Sequence, residues 1–536
     1  MASIKILDCT LREAPIENQM WGELYIRKIL HRLEKAGVDI IEIGFLKNSK
    51  HVSGSTSFQF VEEIEPYIDR KKNPDQWYSA LVDYGRYDLK YLSEHTGKSV
   101  DMIRVCFKHN EMDQVLDYAK QIKEKGYKVC IQHVDTMGFT DQEIIPFIGE
   151  VNKLKPYSYS IVDTFGSMYE HDMLHFLTLA DVFLDKDIQL GFHGHNNLMM
   201  ADANLQTFVR KLSGKRDIIG DASLLGCGRG AGNAHTELIA EYLIKNYGMN
   251  YDIDEIFDVI DSVIYVIQKQ VTWGYGIPYL ISGIHNAHSF NVKQLLHRHI
   301  IKSKDLRAII EQLDEVQKKK YDYALLEKLY IEHFNHPYDD VKSIEKLTKE
   351  LTGRMVLVIG PAMSAIKEKT HIDTFIDTKK PIVVALNNYI EGYHADYIFF
   401  SGIRRYQNLQ YYNREQLGAT QIIVTSNIKT QPLDNETVVD YTSLIKYGWI
   451  NLDSSFILLL RLLIKCGVSE INITGVDGYK NNEDAYFRSD YEVNLETEDK
   501  VEITKDNRSM LEDIRKHYPD LPIHFITDSL YKTVFE

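Results

Sequence analysis

Between Ile4 and about residue 248, short β-branched runs alternate with amphipathic helical stretches, and this alternation restricts the fold more than any other feature. The strand candidates are Ile4–Cys9, Val38–Phe45, Gln76–Val82, Met102–Phe107, Lys128–His133, Ser158–Val162, Ile188–Phe192 and Asp217–Ile219. Between them, stretches such as Leu24–Ala36, Met112–Lys125 and Met199–Leu212 carry apolar residues at helical spacing. Ala36-Gly37 and Lys125-Gly126 supply the glycine that commonly ends a helix. Eight strand–helix units of this size fit a (β/α)8 barrel, with a doubly wound open sheet as the competing arrangement.

A barrel makes its own test available, because functional groups gather at the carboxyl ends of its strands. The first strand ends in Asp8-Cys9-Thr10-Leu11-Arg12-Glu13, the second in Glu42-Ile43-Gly44-Phe45 and the sixth in Asp163-Thr164-Phe165-Gly166. The seventh runs into His193-Gly194-His195-Asn196-Asn197. Residues i and i+2 of a strand point to one side, so both imidazoles can converge on one point and form half of a divalent-metal site. An isolated His-x-His is more often a surface turn, so the other strand ends carry the weight. After the eighth strand, Gly226, Gly228, Gly230 and Gly232 precede Asn233 and a helix; they suit a tight turn or a carboxylate or phosphate at the helix start equally well.

The chain has 536 residues, enough for two or three domains with sizeable cores, and 44% hydrophobic with 26% charged residues is the balance of a globular protein. A formal charge of -15 argues against a nucleic-acid partner. Met1 leads directly into strand-like sequence without a targeting pattern, and the longest apolar cluster, Phe456 to Ile464, is short and broken by Arg461. Five scattered cysteines point to reduced thiols and a cytoplasmic setting, with no membrane association expected. Domain expectations are a barrel over 1–250, a helical extension over 251–353 packed at the barrel mouth, and a second α/β domain over 354–536. The helical candidates of the extension are Ile256–Gln270, Ser303–Lys319, Tyr323–His333 and Val341–Leu351. In the last domain, Met355–Ile359, Ile382–Leu386, Tyr397–Phe400, Gln421–Thr425, Ile471–Thr474 and Ile523–Ile526 read as strands of a doubly wound, Rossmann-like sheet.

Taken together, Asp8-Cys-Thr-Leu-Arg12-Glu13, Glu42-Ile-Gly44, His193-Gly-His195-Asn-Asn197 and Gly228-Arg-Gly-Ala-Gly-Asn233 resemble the DRE-TIM metallolyase superfamily, over residues 1 to roughly 290. That group includes 4-hydroxy-2-oxovalerate aldolase, hydroxymethylglutaryl-CoA lyase and the isopropylmalate and citramalate synthases. The resemblance implies that Arg12 stabilises a developing enolate oxygen and that Glu42 completes the Asp-Arg-Glu signature. It implies metal ligation by Glu13, His193 and His195, with Asn233 where some branches take a further ligand. A carboxylate with two imidazoles suits Mn²⁺ or Mg²⁺ and admits Zn²⁺ or Co²⁺. The implied reaction makes or breaks a carbon–carbon bond next to a 2-keto acid, with an aldehyde as partner and a homo-oligomer as the expected assembly. A Claisen-type synthase using an acyl-CoA is the alternative, and a nucleotide-sugar-binding or assembly protein with a degenerate barrel is the non-enzymatic one.

The sequence departs from this pattern at three places. Glu13 stands where the family has aspartate, Ala14-Pro15 replaces a glycine, and Ile16 occupies the position of the aldolases' histidine base. Gly274-Tyr275-Gly276-Ile277-Pro278-Tyr279 resembles the segment bearing the aldolases' catalytic tyrosine, so Tyr275 or Tyr279 is a candidate acid/base, with Glu17, Asn18 and His285 as further neighbours. Asp8 reads as a turn cap, while His133 and Asp163 are candidates for supporting groups at the mouth. Cys227 has the wrong spacing for the lyases' reactive cysteine. In the last domain, Val356-Leu-Val-Ile-Gly360-Pro-Ala-Met-Ser364, with Asn387-Asn388, Arg404-Arg405-Tyr406 and Gly475-Val-Asp477-Gly478, resembles the sugar-nucleotide domains of bacterial sialyltransferases and motility-accessory glycosylation proteins. That likeness implies surface-glycan synthesis and a nucleotide sugar held at Gly360 and Ser364; a scaffold or dimerisation domain fits as well.

Overall fold

The computed structural model describes the chain except residues 1, 14–19, 69–75, 300, 335–337, 391, 413–416, 429–434, 450, 480–485 and 487–496. It divides into two compact units, Met1–Val292 with Leu313–Tyr321, and Lys293–Gln312 with Asp322–Glu536. The helices between 251 and 353 are therefore shared between the units.

In the first unit, eight parallel strands close into a TIM barrel: β1 (Ile4–Asp8), β2 (Ile40–Leu46), β3 (Trp77–Asp83), β4 (Met102–Phe107), β5 (Lys128–His133), β6 (Ser158–Asp163), β7 (Gln189–Gly194) and β8 (Ile218–Ala222). Closure is explicit in the pairing of β1, whose residues meet β8 along one side and β2 along the other. Alternation along the strands builds the interior in layers. Leu7, Ile40, Met102, Cys130 and Ile219 form an apolar layer inside the barrel. Two residues further along their strands, and so on the same side, stand Glu42, Arg104, Gln132 and Asp221, all buried. The intervening residues, such as Ile41, Ile103, Val129 and Ile131, pack with the core that lies under the helices. Each such fully buried aliphatic side chain contributes roughly 1.5–3 kcal/mol through apolar burial.

Helices follow the strands much as their periodicity predicts, for example Glu23–Lys35, Met112–Glu124 and Ala201–Leu212. The predicted helix Ile256–Gln270 is interrupted by a π-helical turn at Ile260–Ile264. The predicted Ser303–Lys319 is two helices, Ser303–Glu311 and Glu315–Lys318, because Asp314 accepts hydrogen bonds from the backbone of Val316 and Gln317 and starts a new helix there.

The second unit contains a seven-stranded parallel sheet: β9 (Met355–Ile359), β10 (Ile382–Leu386), β11 (Tyr397–Phe400), β12 (Gln421–Thr425), β13 (Glu436–Val439), β14 (Glu470–Thr474) and β15 (Ile523–Phe525). Their spatial order is β13-β12-β11-β10-β9-β14-β15. Apolar residues on the two faces belong to two separate cores, with the helix Ser455–Lys465 in one of them. The edge strand β13 is the element missed in the sequence, since Glu-Thr-Val-Val is short and half polar. Among the described residues no helix is long and apolar enough to cross a membrane.

One buried ion cluster in this unit makes its stability depend on pH. His299 stacks on Tyr330 with ring centroids 3.6 Å apart, its Nε2 lies 2.8 Å from Glu327 and its Nδ1 3.7 Å from Asp453. Burial alone would lower its pKa, but Asp453 and Glu327 more than offset this and raise it to about 9. A raised imidazole pKa stabilises the fold fully below the unfolded value and loses that contribution as pH climbs through the folded one. We therefore expect the urea midpoint of this unit to fall between about pH 6.5 and 9, by on the order of 2–3 kcal/mol in stability. His299→Gln should flatten the profile; a wild-type midpoint constant over that range would contradict the assignment.

Candidate active site

The segment after β1 turns sharply, the backbone N–H groups of Arg12 and Glu13 both donating to Cys9 O at 3.0 and 2.9 Å. That turn aims both side chains inward, where they are 9% and 7% exposed. Asp8 sits beneath it as a cap, accepting from Thr10 N at 2.9 Å and Thr236 Oγ1 at 2.6 Å, its pKa raised by burial to about 6. On β7, His193 faces the interior, and His195 follows just beyond the strand with the two rings 5.0 Å apart. One ligand atom from each of Glu13, His193 and His195 lies within 4.8 Å of the others. The donor set of one carboxylate and two imidazoles is the one expected for a divalent ion.

The surroundings fix these groups in the right chemical form. Asp221 Oδ2 is 3.1 Å from His193 Nδ1, leaving Nε2 on the side of Glu13, at 3.7 Å from Oε1. A ligand histidine normally has its other nitrogen on a carboxylate in this way, which sets ring orientation. Burial lowers the pKa of His193 despite Asp221, and burial followed by His193 and Arg12 lowers that of His195 well below the ordinary value. Both imidazoles therefore keep their lone pairs at neutral pH. The two asparagines after the pair are structural: Asn196 donates to Asn233 O at 2.9 Å and accepts from Ala201 N at 3.0 Å, and Asn197 donates to Ser282 Oγ at 2.8 Å.

Arg12 donates through Nη1 to Glu13 Oε1 and through Nε to Glu42 Oε2 at 2.7 Å. The same Glu42 oxygen accepts from Arg104 Nη1 at 3.0 Å, and Arg104 also reaches Gln132 at 2.8 Å and Asp221. Glu42 is fully buried and spends its charge positioning guanidinium groups. The bulge in β2 at Glu42/Gly44 aims it there; a side chain at Gly44 would come within 1.9 Å of Thr56 O, so only glycine fits. Arg104 and Asp221 were not singled out in the sequence, although a charged residue inside Met-Ile-Arg-Val-Cys-Phe or Ile-Ile-Gly-Asp-Ala is a signal that a buried partner must exist.

Asn233 is 1% exposed and pairs with His195 across a backbone bridge. Its Nδ2 donates to Cys227 O at 2.9 Å, while Oδ1 has no partner among the described residues. The glycine turn is explained by packing, since a Cβ on Gly232 (φ +79°) would fall 2.1 Å from Gly226 O. Cys227 is buried with its thiol pKa raised by that burial, which suits an inert side chain. Around the mouth, Lys47 stands 4.9 Å from the Phe45 ring and Arg229 5.6 Å from Phe290. Burial and then a neighbouring cation lower the pKa of each, Arg12 acting on Arg229 and Arg229 on Lys47, as expected of a positively charged rim.

Several expected residues stand elsewhere. Tyr275 is 56% exposed, in the loop before the helix Ile277–Ile284, and so is not drawn into the buried cluster. Tyr279 lies against the glycine turn, its ring 3.3 Å from the position a Cβ on Gly230 would take. His285 follows that helix as its C-cap. His133 faces outward from β5, stacked on Phe107 and donating or accepting at Tyr159 Oη, 2.5 Å away; burial lowers its pKa to about 3. Asp163 binds the backbone N–H groups of Ser167 and Met168 at the turn after β6, with burial raising its pKa to about 7. His133 therefore faces away from the site, and Asp163 meets it through its backbone carbonyl, which accepts from His195 N at 3.3 Å, while its carboxylate serves the turn. Ile16, Glu17 and Asn18 lie outside the described residues. In the second unit, Ser364 donates its backbone N–H at 3.0 Å and its hydroxyl to the Asp477 carboxylate, and Gly360 N donates to Thr474 O at 2.8 Å. With those donors spent and a carboxylate alongside, the turn from Gly360 to Ser364 is no phosphate cradle.

Residues 3–263 match the family model described as HMGL-like. Over 299 residues the chain is 28% identical to the oxaloacetate decarboxylase of Mycobacterium tuberculosis, spanning 54% of this chain and 84% of that protein. Over 282 residues it is 28% identical to the 4-hydroxy-2-oxovalerate aldolase of Chloroflexus aggregans, spanning 50% of this chain and 76% of that one. The crystal structure of the Bacillus subtilis HMG-CoA lyase aligns with a TM-score of 0.39 at 17% identity, covering 50% of this chain and 93% of that one.

Proposed function

Because residues 3–263 are an HMGL-like domain of the DRE-TIM metallolyase superfamily, we propose that this chain is a divalent-metal-dependent aldolase or carbon–carbon lyase acting on a 2-keto acid. The observation that carries the reading is the convergence of Glu13, His193 and His195 within 4.8 Å at the barrel mouth, with Arg12 on the same carboxylate. Glu13, His193 and His195 would hold an ion such as Mn²⁺ or Mg²⁺, with Zn²⁺ or Co²⁺ as alternatives, and it would supply Lewis acidity to a bound 2-keto acid. Asn233 Oδ1 is the further acceptor such an ion would find.

The protein's own contribution is electrostatic. When the bond between C3 and C4 of a 4-hydroxy-2-keto acid breaks, its electron pair moves toward the keto oxygen, the hydroxyl proton passes to a water molecule and an aldehyde departs. Arg12 offers a permanent positive charge beside that oxygen, and Glu42 fixes its orientation before the reaction begins. The rim cations Lys47 and Arg229 draw an anionic substrate toward the mouth. A proton on C3 then completes a keto acid of the pyruvate type. Loss of carbon dioxide from oxaloacetate would leave the same enolate, so one site accommodates the chemistry named in both relatives.

The test is metal-dependent exchange of pyruvate methyl protons with deuterated solvent, alongside aldehyde release from 4-hydroxy-2-oxovalerate and carbon dioxide release from oxaloacetate. Exchange abolished by a chelator and restored by Mn²⁺ is the expected result. Thiol release from acetyl-CoA in its place would favour a Claisen-type synthase, and no exchange with any divalent ion would remove the enzymatic reading.

A further inference from the structure

Beyond the carboxyl ends of the barrel strands stands a cation that the chain leaves unused. Arg229, in the glycine turn after β8, is exposed and makes no hydrogen bond or ion pair among the described residues. Asp83, a carboxylate whose charge reaches it, is engaged by Arg86 at 3.4 Å. A lone surface arginine is ordinary; this one is set apart by where its turn is pinned. A Cβ on Gly228 would lie 2.6 Å from Asn233 Nδ2, and one on Gly230 would lie 3.3 Å from the Tyr279 ring and 3.4 Å from Ser289. The backbone carrying Arg229 is thus held between Asn233, which bridges to His195, and the segment around Ser289. Burial and then the charge of Arg12 lower its pKa, which places the two guanidinium groups near each other.

On its other side Arg229 meets a cluster of rings. Its guanidinium carbon is 5.6 Å from the centre of Phe290, within cation–π range. His288 lies 4.8 Å from Phe290, 5.1 Å from Tyr321 and 6.1 Å from Phe165, which follows β6. Tyr321 meets Phe290 edge to face at 5.4 Å. His288 N and Asn291 Nδ2 both donate to Lys318 O, at 2.8 and 3.0 Å, and fasten this wall to the barrel unit. Burial, then Arg229 and Lys108, lower the pKa of His288 to about 4, so the four rings are uncharged at neutral pH. Arg229 is the permanent charge in contact with them. The buried Arg12, Glu13, His193 and His195 account for the carboxylate and keto oxygen of a 2-keto acid. What remains for the exposed Arg229 is the far end of the substrate, the part that departs as the aldehyde. A guanidinium takes a carboxylate or phosphate through paired N–H donors, whereas an uncharged aldehyde would leave it nothing to bind.

Resting on the reading of the barrel as a 2-keto-acid aldolase, we infer that the aldehyde partner carries an anionic group, a carboxylate or a phosphate, bound by Arg229 beside Phe165, His288, Phe290 and Tyr321. Two measurements on the full chain with Mn²⁺ test this. The first is isothermal titration with 2-oxoadipate and 2-oxohexanoate, which have equal chain length and differ in the far carboxylate; neither has the 4-hydroxyl that cleavage needs. The diacid should bind about tenfold or more tighter, a gain typical of one charge-assisted contact. Arg229→Gln should erase that difference, and Arg229→Lys should restore part of it, because a point charge lacks the paired donors. The second is addition of pyruvate to succinate semialdehyde, glycolaldehyde phosphate and butanal. One of the two charged aldehydes should exceed butanal in kcat/KM by about tenfold or more, and which one it is names the anion. Equal binding of the two acids, binding of neither, or a diacid preference that survives in Arg229→Gln overturns the inference. So does acetyl-CoA that displaces both acids and binds more weakly to Arg229→Gln, since the arginine would then serve an acyl-CoA phosphate. Pyruvate methyl exchange in the wild type is scored separately. Exchange without a diacid preference refutes this inference alone; a diacid preference without exchange upholds the role of Arg229 and refutes the metal chemistry.

Discussion

Replacing His193 by alanine should leave the purified protein without its divalent ion and reduce keto-acid methyl exchange to the solvent background, a loss of at least ~10³-fold. A metal acting as Lewis acid supplies several kcal/mol, and each 1.4 kcal/mol is about tenfold in rate. The barrel should survive, because His193 sits at the end of β7, beyond the apolar layer that closes the interior. Circular dichroism and the urea midpoint check that directly, and elemental analysis counts the ion. Asp221→Asn is the graded companion: the ligand remains but its Nδ1 loses the carboxylate, and metal affinity should fall about 10–100-fold. The pH dependence has a definite sign. Burial lowers both imidazole pKa values, so metal binding should persist in acid beyond the range where an exposed histidine would have been protonated. Equal metal content and equal exchange in wild type and His193→Ala would end the proposal.

Arg104→Met should be the most destabilising single change in the barrel interior, at about 3–5 kcal/mol, read as a lowered urea midpoint. Arg104 is 2% exposed and is the only residue among those described that joins Glu42, Gln132 and Asp221 at once. Burial opposes its charge, yet Asp221 and Glu42 raise its pKa further still, and Arg104 together with His193 depresses the pKa of Asp221 despite burial. Methionine keeps most of the volume, so the cost is that of carboxylates left in a low-dielectric interior with too little positive charge. Adding Asp221→Asn to Arg104→Met should recover part of the loss, since the two effects are not additive for groups in contact. A variant within ~1 kcal/mol of wild type would show that the network contributes little to stability.

The eight barrel strands and their order were legible from their β-branched runs, although the second and third are followed among the described residues by 3-10 turns and not by α-helices, and the histidine pair could be placed by period-two geometry together with the other strand ends, His195 standing just beyond its strand. What escaped was the polar layer. Glu42, Arg104, Gln132 and Asp221 belong to four different strands, and nothing local says that positions 42, 104, 132 and 221 share a level. Parity says only that they face the same way, each lying two residues beyond a member of the apolar layer at Ile40, Met102, Cys130 and Ile219, and it is the hydrogen bonds of Arg104 that bring them together. The same parity corrects His133, which alternates with the inward Cys130 and Gln132 and therefore packs under the helices with Ile131. In the second unit, backbone donors that seem free in a Gly-Pro-Ala-Met-Ser turn were already taken, Ser364 N by the Asp477 carboxylate and Gly360 N and Ala362 N by the carbonyls of Thr474 and Gly475, all more than a hundred positions away. Pairings across such distances follow from the assembled fold and leave little local trace.

The way the barrel closes has a consequence for how it is made. The first strand borders the last, and the carboxylate that steadies both His193 and Arg104 belongs to residue 221. During synthesis the buried guanidinium groups are produced long before the second of their counter-charges emerges. A ribosome-bound fragment ending before Asp221 would have to leave Arg104 short of a partner or hold that region open to water. Completion of the site thus coincides with arrival of the final strand, so a truncated product is poorly placed to assemble a working cation trap.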